Sequence, residues 1–240
     1  MASDEMTFLE HLEELRWRLI KGLAAIMLFA IIAYVFIDDI MIFLARPAEM
    51  QQVPITLQAI NVSDIFMVQL ISSLLVGLVA ATPIVLYQAW QFVSPALAGS
   101  ARGTGLFVVL VGTFFFLGGL TFGYAVILPM SLRFFSGLGD GTVANNYSIL
   151  AYFSYVSWML LSTGMVFQLP VISFILTRVG LLTPAFLKHY RKYSTVAILI
   201  FAAVLTPPDP VSQVLMAVPL LGLYELSVLI SRIFQPASSL

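Results

Sequence analysis

Between Thr7 and Arg18 the chain reads Thr-Phe-Leu-Glu-His-Leu-Glu-Glu-Leu-Arg-Trp-Arg, so Glu10, Glu13 and Glu14 share a short stretch with His11, Arg16 and Arg18. Thr7 and Glu10 fit a capping box, which places a helix start here. In that helix Glu10 and Glu14 lie on one face, and Glu14 and Arg18 form an i,i+4 pair. Carboxylates at this spacing do one thing well: they accept forked hydrogen bonds from guanidinium groups. The pattern by itself has two readings: a solvated, well-capped helix start, or an acidic patch at the cytoplasmic membrane face that pairs with an incoming cationic segment. A second group consists of polar residues inside apolar runs, Gln168 beside Pro170 and Glu225 near Arg232. Ionisable groups at such positions are costly and mark functional sites by default. Glu225 also has a structural reading, as a snorkelling or salt-bridged group beside Arg232.

Catalytic equipment is missing. There is no cysteine, and His11 and His189 are too far apart for an HExxH zinc site. Neither a GxxxxGK[ST] phosphate loop nor a GxSxG nucleophile elbow is present. Gly137-Leu-Gly-Asp140 together with Pro95-Ala-Leu97 is similar to the motifs of GxGD intramembrane aspartyl proteases. That chemistry needs two aspartates sharing a proton. No Tyr-Asp pair supplies the second one, and the two motifs come in the wrong order, so the chain is read as no enzyme and as needing no cofactor.

The elements that carry these residues are membrane helices. Of 240 residues 60% are hydrophobic and 10% charged, against about 25% charged in a soluble domain. Most of the surface must therefore face lipid. The net charge of −1 gives no basis for nucleic-acid binding. The acidic N-terminus lacks the basic region of a signal peptide, so the first apolar run is read as a retained span. Residues 1–240 are read as one all-α membrane domain with six spans, at about 19–37, 65–90, 106–128, 149–176, 191–205 and 211–230. Pro129 is expected to stop the third span, and Pro83, Pro170 and Pro219 to kink others. The fifth run is short, and Pro207-Pro208 closes it. With the N-terminus in the cytoplasm, nine of the 11 Lys and Arg are cytoplasmic and only Arg46 and Arg133 lie outside. Both termini are then cytoplasmic. The outer loops carry Asp38, Asp39, Glu49, Asp64, Asp140 and Asp209. A small-molecule secondary transporter is the alternative class, but it would show internal repeats and a polar midplane site, and neither is visible.

Several ordered motifs then carry a resemblance. His11-Leu-Glu-Glu-Leu-Arg16 resembles the HLxELR start of TatC, the large polytopic subunit of the twin-arginine, Sec-independent protein translocase. Ala81-Thr-Pro-Ile-Val-Leu-Tyr-Gln88 and Trp90-Gln-Phe-Val-Ser-Pro-Ala-Leu97 look like the family's SPxxxYQxWxFxxPAL block. Phe167-Gln-Leu-Pro170 is similar to its F-[EQ]-x-P, and Arg191-Lys-Tyr193, Thr206-Pro-Pro-Asp-Pro-Val-Ser-Gln213, Pro219, Glu225 and Arg232 match later blocks. The resemblance covers residues 8 to 232.

It implies six helices in a curved, cup-like arrangement in the cell (inner) membrane. It implies recognition of SRRxFLK-type twin-arginine signal peptides on folded cargo, assembly with single-span TatA/TatB-type partners, self-association in a receptor complex, and transport driven by the proton-motive force. The implied signal-peptide site is Glu14 with Phe92, Pro95, Leu97 and Arg102, joined by Glu10 and Glu13. Pro47, Gln168, Asp209, Gln213 and Glu225 are the implied partner-helix or translocation contacts. One departure stands out: Ala101 occupies the place of the family's usual loop glutamate, so Glu14 is expected to meet the arginines without that second carboxylate. Gln168 stands where the family allows glutamate or glutamine, and glutamine cannot carry a proton.

Overall fold

A computed structural model describes residues 8–50, 55–96, 104–137, 146–205 and 210–234. Helix α1 (Phe8–Val35) begins well before the first apolar run. The reason is local: Glu, Leu and Arg are strong helix formers, and Glu10 in the first turn complements the helix dipole. At Phe36 the chain bends into α2 (Ile37–Glu49), so Asp38, Asp39, Arg46 and Glu49 stand on a helix rather than in an extended loop. Helix α3 (Asp64–Val93) runs back along α1. The two approach so closely that a Cβ on Gly77 would lie 2.6 Å from the Ala30 backbone nitrogen, which only glycine permits. Asp64, expected as a loop acid, is buried at the start of α3. Its Oδ2 accepts from the amides of Ile60 and Asn61, both at 2.9 Å, and closes the turn that launches the helix.

The third run does not stop at Pro129. Helix α4 (Gly105–Phe122) passes through a π turn at Gly123–Ile127 into α5 (Leu128–Gly137). There the Leu128 N–H reaches the Gly123 carbonyl, five residues back. Pro129 would normally leave one hydrogen bond unmade and press its ring on the preceding turn. A widened turn absorbs that conflict, and the helix continues. The fourth run is two helices, α6 (Ile149–Val166) and α7 (Leu169–Val179), parted at Phe167–Gln168 with Pro170 in the first turn of α7. Gly180, with φ 84°, ends α7 in the left-handed conformation. Short α8 (Pro184–His189) leads to α9 (Arg191–Leu205) and α10 (Pro210–Phe234). Nothing in the sequence pattern had announced strands, yet β1 (Thr56–Gln58) and β2 (Asn146–Ser148) pair in parallel, with Leu57 opposite Tyr147. They tie the connection before α3 to the one before α6.

Among the described residues, three apolar clusters hold the helices. Val68, Leu128, Phe153 and Val156 join α3, α5 and α6. Met159, Ala202, Met216 and Leu220 join α6 to α9 and α10. Trp90, Val108, Val171 and Phe174 join α3, α4 and α7. Helices α7 and α10 run parallel and share hydroxyl contacts: Ser173 Oγ donates to the Ser227 carbonyl at 3.2 Å, and Thr177 Oγ1 to Ser231 Oγ at 3.0 Å. Small and hydroxyl residues let membrane helices approach closely. Outward faces are apolar and open, with Leu28, Ile31, Phe107 and Phe114 all exposed. A surface of this kind belongs in lipid.

Among the described residues, five segments are long and apolar enough to cross a membrane: Leu9–Val35, Asp64–Val93, Gly105–Gly137, Ile149–Val179 and Gln213–Phe234. Helix α9, with 15 residues, measures only about 22 Å, against a hydrocarbon core of about 30 Å.

Candidate functional site

Antiparallel packing of α1 on α3 brings the acidic start of α1 beside the end of α3. Glu14 faces inward, its side chain 19% exposed. Arg18, one turn on, donates from Nε to Glu14 Oε1 at 2.8 Å and from Nη2 to the same oxygen. The other oxygen, Oε2, is buried and accepts no hydrogen bond. His11 Nδ1 stands 3.7 Å from it, too far for one. The His11 ring is in turn stacked on Phe92, with centroids 4.3 Å apart and planes 15° apart. Below this stack a groove of about 250 Å³ opens between the two helices, lined by Leu15, Leu19, Gly22, Val85 and Phe92 with Arg18 at its edge.

The arrangement suits one kind of ligand. A buried carboxylate oxygen with no donor favours an N–H-rich cation. The flat faces of His11 and Phe92 suit a planar guanidinium better than an ammonium. The apolar groove alongside suits large aliphatic or aromatic side chains following the cation. His11 is the contributor that sequence reasoning left without a role. Its i,i+3 spacing to Glu14 was the available signal, and Phe92 beneath it was not visible.

Residues 10–219 match the family model for the Sec-independent protein translocase protein (TatC). The chain belongs to the TatC family. It is 37% identical over 236 residues to Desulforapulum autotrophicum TatC, covering 96% of this chain and 86% of the relative. With Bacillus subtilis TatCy it shares 36% identity, across 97% of this chain and 91% of that one. A crystal structure of the twin arginine translocase receptor TatC superposes with a TM-score of 0.81 at 34% identity, covering 93% of this chain and 99% of that one. A second, in DDM, gives 0.82 at 32% identity. Family and fold together make this a helical membrane component of the Sec-independent translocase, in a family of translocase subunits and not of enzymes. The small-molecule transporter alternative gains no support from relatives of this kind.

Within this TatC fold the remaining candidates are dispersed. Pro95 is exposed in the 3-10 turn Ser94–Ala96, beyond Phe92. Glu13 is exposed on α1, and Glu10 one turn before Glu14 is exposed too. Leu97, Arg102 and the departure at Ala101 lie outside the described residues, as does Asp209. Gln168 caps the break between α6 and α7. Its Nε2 donates to the Gly112 carbonyl at 3.0 Å, while its Oε1 is buried without a donor. Gln213 Nε2 donates to the Leu199 carbonyl at 3.4 Å and links α10 to α9.

Glu225 does not pair with Arg232. Its Oε1 accepts from Arg191 Nε at 2.8 Å and from Nη2 at 2.5 Å. The reason is topological: α9 and α10 are antiparallel, which sets the first residue of α9 beside the C-terminal half of α10. Both partners are about half exposed, 62% for Arg191 and 49% for Glu225. Exposed pairs of this kind contribute little. Glu225→Gln is therefore expected to change stability by less than about 1 kcal/mol, checked by thermal unfolding in detergent. A drop well beyond that would assign Glu225 a larger structural share than an exposed pair has.

Pro47 is buried inside α2. It leaves the Phe43 carbonyl, four residues earlier, without a helical donor. Tyr124 of the π turn supplies one, its hydroxyl donating to Phe43 O at 2.6 Å, while Tyr152 donates to Leu44 O at 2.9 Å. Two tyrosines thus pin α2 to the rest of the fold.

Proposed function

We propose that this chain is the signal-reading subunit of its translocase, and that Glu14 receives an arginine of a twin-arginine signal peptide. The observation that carries this is the buried Glu14 Oε2 without a donor, set beside the His11–Phe92 stack and an apolar groove. A guanidinium reaches Oε2 by displacing the His11 edge, and it competes with Arg18 for the carboxylate. The Phe-Leu that follows the arginines in an SRRxFLK-type signal has the groove to enter. Pro95, Leu97 and Arg102 of the adjoining loop, with Glu10 and Glu13, complete the surface in this reading.

The proposed membrane placement follows from the distribution of Lys and Arg. The N-terminus lies in the cytoplasm, the chain crosses six times, and the C-terminus returns to the same side of the cell (inner) membrane. The sixth crossing needed for that count is α9. Being short, it thins the bilayer locally, since a short hydrophobic stretch draws the bilayer in around it. Single-span TatA/TatB-type helices are proposed as partners for Gln168, Asp209, Gln213 and Glu225, with self-association in the receptor complex and the proton-motive force as the energy source.

Two measurements test this. Co-purification of the chain with a twin-arginine signal peptide, compared with its Lys-Lys version, should retain the arginine form preferentially; equal retention defeats the recognition reading. For α9, hydrogen exchange in a lipid nanodisc should show a protected stretch no longer than Arg191–Leu205, with rapid exchange starting at its ends. Protection extending over the length of a full crossing would refute local thinning at α9.

A further inference from the structure

A second cleft lies between α4, α7 and α10. Its volume is about 160 Å³, and Phe107, Val111, Pro170, Phe174, Ile230 and Phe234 line it without a polar side chain among them. Phe107 is exposed, so the cleft opens sideways to the lipid-facing surface. At its end sits Arg178, in the last turn of α7. The guanidinium carbon lies 5.6 Å from the Phe174 ring centre and 5.4 Å from that of Phe234, both of which also line the cleft. Its Nε–H is buried and has no acceptor. Among the described residues no carboxylate pairs with Arg178, and Glu225 is committed to Arg191.

An arginine in this position is only half provided for. Ring faces stabilise the charge of a guanidinium but leave its N–H donors unmet. A buried charged donor without an acceptor costs more than a neutral one. The missing partner must therefore be an anion with oxygen acceptors, approaching from the side of the membrane. This end of the molecule is also its basic end, because α7 and α10 run parallel and α8 and the start of α9 fold back beside them. Lys188, Arg191, Lys192 and Arg232 all belong to it. Apolar space continuous with the cation gives the second half of the recognition. A soluble anion has no use for it, whereas a lipid has an acyl chain to place there. A zwitterionic headgroup would bring an ammonium towards a surface that already carries excess positive charge.

We propose that Arg178 and this cleft form a site for one anionic glycerophospholipid. The phosphodiester oxygens accept from the Arg178 guanidinium, and one acyl chain lies between Phe107, Val111 and Ile230. Basic pockets between membrane helices on the cytoplasmic side select such headgroups. The bound lipid fills the cleft between α4 and the paired α7 and α10, so it also stiffens that junction. The site is independent of the Glu14 reading and survives if that reading fails.

Native mass spectrometry of the purified chain tests this, after extraction from nanodiscs holding equal amounts of phosphatidylglycerol and phosphatidylethanolamine. One phosphatidylglycerol should remain bound, preferred by about fivefold over phosphatidylethanolamine. Arg178→Gln should abolish the preference, and Arg178→Lys should keep part of it. Val111→Trp leaves the arginine in place and fills the cleft, and it should release the lipid. Equal retention of the two lipids by the unaltered chain overturns the proposal. So does unchanged retention in both Arg178→Gln and Val111→Trp. Displacement of the lipid by inorganic phosphate alone would show that the cleft contributes nothing, and would overturn it as well.

Discussion

Glu14→Gln is expected to weaken binding of a twin-arginine signal peptide by about 10- to 100-fold and to erase most of its preference over the Lys-Lys form. The substitution keeps the side-chain volume and one acceptor oxygen, so it isolates the charge. A charge-assisted hydrogen bond contributes about 1.5–3 kcal/mol, which sets that range. Glu14 is only 19% exposed, so water and salt screen it incompletely. Glu13 is exposed, and Glu13→Gln should change binding less than about twofold.

Arg18 supplies the opposite sign. It occupies Glu14 Oε1 in the absence of a signal peptide. Arg18→Gln removes the internal competitor, and binding of the twin-arginine peptide should tighten. Fluorescence anisotropy of a labelled peptide against the purified chain in detergent measures all three variants. Normal binding by the Glu14 variant would place the arginines elsewhere. Weaker binding by Arg18→Gln would recast Arg18 as a group that holds Glu14 in position.

The second large effect is structural. Tyr124→Phe deletes the hydroxyl that donates to the Phe43 carbonyl, and it should cost about 1–3 kcal/mol of stability. Pro47→Ala restores an amide at the position from which the helix would normally supply that carbonyl. The two substitutions are therefore coupled: Tyr124→Phe should cost clearly less in a Pro47→Ala background. Thermal unfolding of the four proteins in one detergent gives the interaction free energy. Strict additivity would mean that Tyr124 does not compensate for Pro47. Loss of this contact also frees α2 from the π turn, so increased hydrogen exchange across Ile37–Glu49 should accompany it.

The residues differ in how much of this was readable beforehand. Membrane helices were legible because their signal is local: long apolar runs, scarce charges and a one-sided distribution of Lys and Arg. The shortness of α9 was legible for the same reason, since length is a property of the run itself. Glu14 and its i,i+4 partner Arg18 were legible because both sit on one helix. What a proline does was not. Pro129 passes through a π turn, Pro170 separates two helices, and Pro47 is accommodated by a tyrosine 77 positions away. A proline removes a donor, but the group that makes good the loss comes from whatever helix packs alongside.

Pairings across helices were equally hidden. Sequence proximity offers Glu225 only Arg232 as a salt-bridge partner, whereas the antiparallel return of α9 supplies Arg191. The stack of His11 on Phe92, the parallel β1–β2 pair and the Arg178 cleft each join segments far apart in the chain. The amino-acid order alone determined that this chain is a membrane protein built from helices with a carboxylate-bearing start, because hydrophobicity, charge and helical spacing act over a few turns. Only the tertiary structure decided which oxygen of Glu14 stays open, which cation meets Glu225 and which arginine lacks an anion. Those outcomes depend on close packing between helices, and a single helix holds no record of its neighbours.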